Sequence, residues 1–532
     1  MFTKKGATKV FSAMLSIVLL LTLVFSLTAC DGKSDKQKLV FMTIGYGDQA
    51  DAKMVHEEFN KRIADYIQGI EVEFIIVPSS EFAEQFELKM ISGAQVDVAW
   101  TGYAFSFSEQ VEKGNYMQLD SLIEENASDL KASTLPWMLD LGSVDGKLYQ
   151  IPRFEWMNEW RMALSTPTEL FDKHWDVNAA NKAFQENDTS YRCMDESMYD
   201  YLENYLSKIK ESNDIQSGVS FRGMNFNYGA FVYDSASSPV MRLPKRDTPY
   251  DFTVYNYYAM PEVKLHYQKM AEFYKKGLLP QNITEINPRD YENTKTNKSF
   301  VAWFDEYIDI NDKPYEDAVV GDGDKPFVKV SLESDYYISR IESVSGHVIP
   351  VTSKYPDKAI QLIELLNTSK GKELFNLLTF GIEGVHYRKI DENRIETIDY
   401  VGYPDDESRY GLQKWSVGNV AENCYLTQSE TRDDYYEYMK SVPDQAIVSP
   451  LIGFKPNTKS LKSKNMAVQE VINEYETPLA QGILGADWEK QYDLMISKMK
   501  EAGIDEILVE LQRQVDEYLS LNGISKTQSI AK

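Results

Sequence analysis

Strand-like and helix-like apolar patterns alternate from Leu39 onward, and this alternation restricts the fold more than any other feature of the chain. Leu39-Val40-Phe41-Met42-Thr43-Ile44 is a short, nearly unbroken apolar run, the pattern of a strand covered on both faces. It stops at Gly45-Tyr46-Gly47, after which Met54, Val55, Phe59, Ile63 and Ile67 recur at helical spacing. Val72, Phe74, Ile75, Ile76 and Val77 form a second strand closed by Pro78, and Phe82, Phe86 and Met90 mark one face of a second helix. Gln95 to Trp100 is a third strand. A β-loop-α order that restarts in this way predicts an α/β fold with a parallel sheet, whose ligands sit beyond the carboxyl ends of the strands. The sequence holds no repeat of 20–50 residues, which argues against solenoids and propellers.

The first thirty residues carry a different message. Lys4, Lys5 and Lys9 precede an apolar run from Val10 to Leu27, which ends in Leu27-Thr28-Ala29-Cys30. That tetrad resembles the bacterial lipobox, where small residues fit the peptidase pocket and the thiol of the Cys takes up the lipid. Residues 1–29 therefore read as a lipoprotein signal peptide, Cys30 as the lipidation site and 30–37 as a polar tether. The expected location is the extracellular face of the cell membrane, held by lipid.

At 532 residues the chain exceeds what one hydrophobic core usually serves, so more than one domain is expected. Residues 1–29 hold three Lys and no acid, which leaves the remainder with a formal charge of −29. Such acidity argues against nucleic acid and anionic lipid as partners, because both select basic surfaces. Beyond Cys30 only Cys193 and Cys424 remain, too few for a disulfide framework; two separate buried thiols is the plainer reading, and sequence leaves their pairing open.

Several motifs are missing, and each absence removes a chemistry. The sequence has no G-x-x-x-x-G-K-[ST], no H-E-x-x-H, no C-x-x-C and no G-x-S-x-G. His56, His174, His266, His347 and His386 are scattered without metal-ligand spacing. Gly45-Tyr46-Gly47-Asp48-Gln49-Ala50 imitates a dinucleotide-binding turn, but the second strand ends in Val77-Pro78 where that site wants an acid. The glycines are read instead as a tight turn presenting backbone N–H groups to a cleft. No cofactor, metal or catalytic residue is expected.

Several segments, in order, carry a resemblance: "LKMISGAQVDVAW", "DGKLYQIP" (Asp145–Pro152), "TNKSFVAWF" (Thr296–Phe304) and "GHVIPVTSKYPDKAIQLIELLNT" (Gly346–Thr368). Together they resemble the family 1 extracellular solute-binding proteins of ABC importers. "LLTFGIEGVHY", "WSVGN", "SPLIGF" and "AGIDEILVELQRQVDEYL" resemble a Firmicutes subgroup with a C-terminal domain of unnamed function. The resemblance implies a two-lobe, periplasmic-binding-protein-like fold of type II, with a hinge, a central ligand cleft and an α-rich C-terminal elaboration. It places lobe one at 38–155 and 300–349, lobe two at 156–299 and 350–376, a family-specific region packed on lobe two at 377–520 and a tail at 521–532. It also implies a non-enzymatic binding subunit that delivers a solute, a sugar or oligosaccharide, to the membrane subunits of an ABC permease.

Sugars present apolar C–H faces that stack on aromatic rings and hydroxyls that seek planar polar groups. The cleft candidates are therefore Gly45 and Tyr46 after the first strand, Trp100 and Tyr103 at the end of the third, and Trp156 just past the first crossing. Trp303, Asp305 and Tyr337, before the last crossing, complete the set. Two other classes stay open on sequence: a surface sensory or scaffold lipoprotein, and a tethered glycoside-processing enzyme.

Overall fold

The computed structural model describes residues 36–47, 49–102, 104, 106–154, 161–184, 186, 191, 193–212, 221–222, 229–231, 240–282, 301–307, 315–318, 327–332, 337–338, 345–398, 409–427, 430, 432–452 and 454–526. The signal segment and Cys30 lie outside them. No helix among the described residues is long and apolar enough to cross a membrane.

The first lobe is built on a five-stranded sheet in the order Ile70–Val77, Gln37–Ile44, Val98–Thr101, Gly346–Val348, Gln150–Pro152. The first three strands are parallel, and Gly346–Val348 runs antiparallel to both of its neighbours. The apolar run that predicted a doubly covered strand is one. Leu39 and Phe41 pack with Val55 and Phe59 on one face, while Met42 and Ile44 pack with Phe82, Phe86 and Trp100 on the other.

The second lobe holds the sheet Tyr315–Ala318, Phe327–Ser331, Arg161–Pro167, Ala302–Tyr307, Phe221–Arg222. Its core joins the helices Glu196–Glu211 and Pro261–Lys275 to three C-terminal helices, Lys462–Ala480, Trp488–Glu501 and Ile504–Leu521. The stripe Ile507, Leu511, Val515 and Leu519 is buried there, with Leu508 packed against it. Gly482 makes one of these contacts possible. Its φ is +67°, and a Cβ in its place would lie 2.1 Å from the Met270 carbonyl oxygen.

Three of the expected boundaries are corrected. Ala302–Tyr307, expected to return to lobe one, pairs antiparallel with Arg161–Pro167, so only the end of 300–349 belongs to the first lobe. Residues 350–376 were expected in lobe two. Ile360, Ile363, Leu366, Leu374 and Phe375 instead share the core of Leu39, Val55 and Phe59. The family-specific region is also divided, with Leu377 to Met439 in the first-lobe core and Ile447 to Leu519 in the second. The physical reason is the same in each case. Periodicity shows that a helix or strand has an apolar face but not which lobe covers it.

The chain thus crosses between lobes three times, after Phe154, after Leu332 and after Met439. The strands Tyr337–Ile338 and Ile447–Val448, next to the second and third crossings, run side by side as a parallel pair. Cys193 and Cys424 are buried in the cores of different lobes and form no disulfide with each other.

Candidate functional site

The carboxyl ends of the parallel strands in the first sheet share one edge with the start of Gly346–Val348 and the end of Gln150–Pro152. The chain leaves for lobe two at this edge after Phe154 and re-enters at Ser345, and the Arg153 N–H donates to the Ser345 carbonyl at 3.2 Å. Two of the three crossings therefore border this edge, which makes it the first-lobe wall of the inter-lobe cleft.

A segment from far along the chain completes the wall. Ser416 ties it to the first strand: its Oγ donates to the Ile44 carbonyl at 3.3 Å, and Thr43 Oγ1 donates to the Ser416 carbonyl at 3.1 Å. This sets Trp415, half-buried, at the strand ends. The Arg153 guanidinium lies 5.0 Å from the Trp415 ring centroid, in cation–π range. Beneath them His347 is buried, its Nδ1 3.4 Å from Asn367 Nδ2. Burial, with the Arg153 charge adding to it, pushes the His347 imidazole down to about 4, so it stays neutral.

Lys414, beside Trp415, is held in place by a polar cluster. Its Nζ meets Glu430 Oε1 at 3.0 Å, and Glu430 Oε2 accepts from the Thr427 N–H at 2.8 Å and Thr427 Oγ1 at 2.6 Å. Burial works against both charges. The Lys414 ammonium and the Thr427 donors nevertheless hold Glu430 down to about 2, and Glu430 raises Lys414. The pair fixes the backbone on either side of the ring.

A second cluster secures the entry to the first helix. Arg409 donates to both Asp51 oxygens, at 2.6 and 2.9 Å, and His386 Nε2 lies 3.2 Å from Asp51 Oδ2. His386 Nδ1 accepts from the Ile382 N–H at 2.9 Å, so Nε2 carries the proton and donates. The Arg409 hydrogen bonds, with His386 adding to them, hold the Asp51 carboxyl below its ordinary range.

The candidates read from sequence divide three ways. Gly45 and Tyr46 stand at the edge, but the Gly45 N–H donates to the Val77 carbonyl at 3.0 Å rather than facing the cleft. Gly45 serves close packing, since a Cβ there would lie 2.5 Å from Ile76 Cγ2. Tyr46 OH accepts from Gln413 Nε2 at 3.5 Å. Trp100 is corrected. It is fully buried, edge-on to Phe82 at 5.3 Å, and reaches the site only by backing Trp415, whose ring centroid is 6.0 Å away. Tyr103 and Trp156 lie outside the described residues, as do the side chains of Trp303, Asp305 and Tyr337. The backbones of Trp303 and Asp305 sit opposite Ser165 and Ala163 in the second sheet, and that of Tyr337 belongs to the pair beside the crossings.

Sequence reasoning missed Arg153 and Trp415. Arg153 directly follows the "DGKLYQIP" segment, a position where a side chain at the first crossing could have been suspected. Trp415 carried no such signal, because nothing local brings residue 415 to the end of a strand at 44.

Comparison with known proteins now bears on this geometry. The domain of unknown function DUF3502 matches residues 450–520. A carbohydrate ABC transporter substrate-binding protein of Streptococcus pneumoniae serotype 4 is 24% identical over 465 residues, covering 86% of this chain and 87% of that protein. The crystal structure of the N-glycan transport solute binding protein NgtS of S. pneumoniae superposes with a TM-score of 0.73 at 22% identity, covering 92% of this chain and all of the other. Its complex with Man1GlcNAc gives a TM-score of 0.67 at 21% identity, and its complex with Man5GlcNAc gives 0.65 at 22%, each covering 91% of this chain and 99% of the other. The two-lobe fold of type II solute-binding proteins, expected from sequence, is the fold of this chain.

Proposed function

We propose that this chain, which has the fold of the solute-binding proteins of ABC importers, captures a saccharide between its lobes and delivers it to a membrane permease. One observation carries the reading: Arg153 and Trp415 form a cation–π platform at the strand ends where the chain crosses between lobes. A half-buried flat ring for a sugar face, held in orientation by the buried Arg153 guanidinium that lies over it, is the chemistry that a saccharide cleft needs. The relatives named above as carbohydrate or N-glycan binders point to the same ligand class. Lobe closure by hinge rotation at the crossings would complete the contacts and mark the loaded state for the permease.

The platform serves binding without chemistry on the solute, which is released unaltered. Cys30 is the lipid attachment point, and the tether after it leaves the lobes at the extracellular face. Tyr46, Trp303, Asp305 and Tyr337 remain candidates for the rim of the cleft and its hinge side.

Thermal unfolding against a panel of neutral mono-, di- and oligosaccharides tests the reading. A saccharide at one hundred times its dissociation constant adds about 2.7 kcal/mol to stability. A rise in Tm with one saccharide class, and its recovery unchanged, is the expected result. No shift with any saccharide, or recovery of a cleaved product, overturns it.

A further inference from the structure

A groove of about 740 Å³ runs between the two lobes away from the Trp415 platform. Its first-lobe wall is the turn at Asp145 and Gly146, between the short strands Ser143–Val144 and Lys147–Leu148. Its second-lobe wall is the DUF3502 region, from Phe454 to Ser460 and along the last helix to Leu521. Lys455 links this groove to the cleft edge. Its Nζ lies 5.7 Å from the ring centroid of Phe107, which opens the helix following strand Val98–Thr101.

The lining selects a kind of ligand. Lys455, Lys459 and Arg513 are balanced by Asp145, Glu510 and Glu517, so the groove offers many charged hydrogen-bonding groups and no net charge. A balanced lining favours an uncharged polar molecule over an anion or a cation. The groups are also held in place before any ligand arrives. Arg513 donates to Glu510 at 2.7 and 3.0 Å and to Glu517 at 2.9 Å. Gln514 accepts from the Asn457 N–H at 2.7 Å and donates to its carbonyl at 2.9 Å. Tyr518 OH donates to the Ile452 carbonyl at 2.8 Å, with its ring 5.3 Å from that of Phe454. Planar carboxylate and guanidinium groups around a tyrosine anchored on the Ile452 carbonyl suit sugar hydroxyls.

We propose that this groove is a second saccharide subsite, taking the part of a longer neutral glycan that extends from the cleft edge past Phe107 and Lys455. The inference rests on the saccharide-binding reading above and gives the DUF3502 region a role as the floor that favours longer glycans. Because the walls belong to different lobes, the subsite is complete only in one relative setting of the lobes.

Calorimetric titration of the purified protein with Man1GlcNAc, Man5GlcNAc and a set of neutral di- to heptasaccharides tests it. The variants are Arg513→Ala, Glu517→Gln and Asp145→Gly. Arg513 and Glu517 are more than half exposed, and glycine accepts the φ of +52° at Asp145, so all three should fold. Each variant should weaken the longest glycan that binds by about tenfold and leave the shortest unchanged. Equal loss for short and long glycans, or no loss for either, overturns the subsite while the saccharide-binding reading stands. If the unaltered protein binds none of the saccharides, both fall together.

Discussion

Asp97 Oδ1 accepts a hydrogen bond of 2.8 Å from Ser353 Oγ, joining residues 256 positions apart at the base of the first lobe. The same oxygen accepts from the N–H groups of Lys354, at 2.8 Å, and Tyr355, at 3.3 Å, just before the helix Pro356–Asn367. Its partner oxygen accepts from the Val40 N–H at 2.8 Å and from Gln95 Nε2 at 2.7 Å. One fully buried carboxylate thus stitches the first strand, the third strand and the segment after the second crossing.

Both oxygens only accept, so an amide cannot replace them. Asp97→Ala and Asp97→Asn should each destabilise the protein by about 3 kcal/mol or more, since each leaves buried N–H groups unpaired. Denaturant unfolding measures this. A near-wild-type midpoint for Asp97→Asn would show that a single acceptor oxygen suffices.

Two tryptophans that touch each other should behave differently. Trp415→Ala should weaken saccharide binding about tenfold with a small change in Tm, and Arg153→Ala, which removes a buried guanidinium from over the ring, should weaken binding and lower Tm as well. Trp100→Ala removes a fully buried ring and should cost about 3–5 kcal/mol of stability. Binding and unfolding measured on the three variants separate the roles. Equal stability losses for Trp100→Ala and Trp415→Ala would place both rings in the core.

Acid should destabilise the fold through its buried imidazoles. Burial pushes His56 and His347 down to about 4 and His266 to about 3, from an ordinary value of 6.5. Because the folded values are lowered, their contribution is complete above pH 6.5 and is lost as pH falls toward 4. Each group accounts for about 1.4 kcal/mol per pH unit in that window. Glu430, held at about 2, adds a loss in the same direction below pH 4.5. His56 lies 4.5 Å from the Phe74 ring, so His56→Phe keeps the packing and should reduce the pH slope by about one proton. An unchanged slope would mean that His56 is protonated in the folded protein near pH 6.5.

The turn at Gly482 tolerates nothing larger. With φ at +67° and the Met270 carbonyl 2.1 Å from the Cβ position, Gly482→Ala should cost about 2 kcal/mol or more, read as a drop in Tm. A neutral outcome would show that the DUF3502 helices can shift on Pro261–Lys275 without loss.

The membrane anchor proposed above rests on the Cys30 thiol. Cys30→Ala should abolish incorporation of labelled fatty acid and leave the protein unprocessed or released into the medium. Continued lipid labelling of that variant would move the anchor elsewhere.

By itself the sequence determined the local elements and, through its resemblance to a known family, the two-lobe fold class. Leu39 to Ile44 has the pattern of a doubly covered strand, and Ile507, Leu511, Val515 and Leu519 that of one helix face, because apolar period is a property of neighbouring residues. Tertiary structure alone decided which lobe each element joined. The apolar faces of Lys372–Phe380 and Ile504–Leu521 read alike along the chain, yet the first packs on Val55 and Phe59 and the second among the helices of the other lobe. The candidate site followed the same division. Trp100 was visible at a strand end but is buried, whereas Trp415 reaches the site only because Ser416 hydrogen-bonds to Ile44 across 372 residues of chain. Burial and long-range pairing depend on what the rest of the chain brings alongside a residue, and no local pattern encodes that.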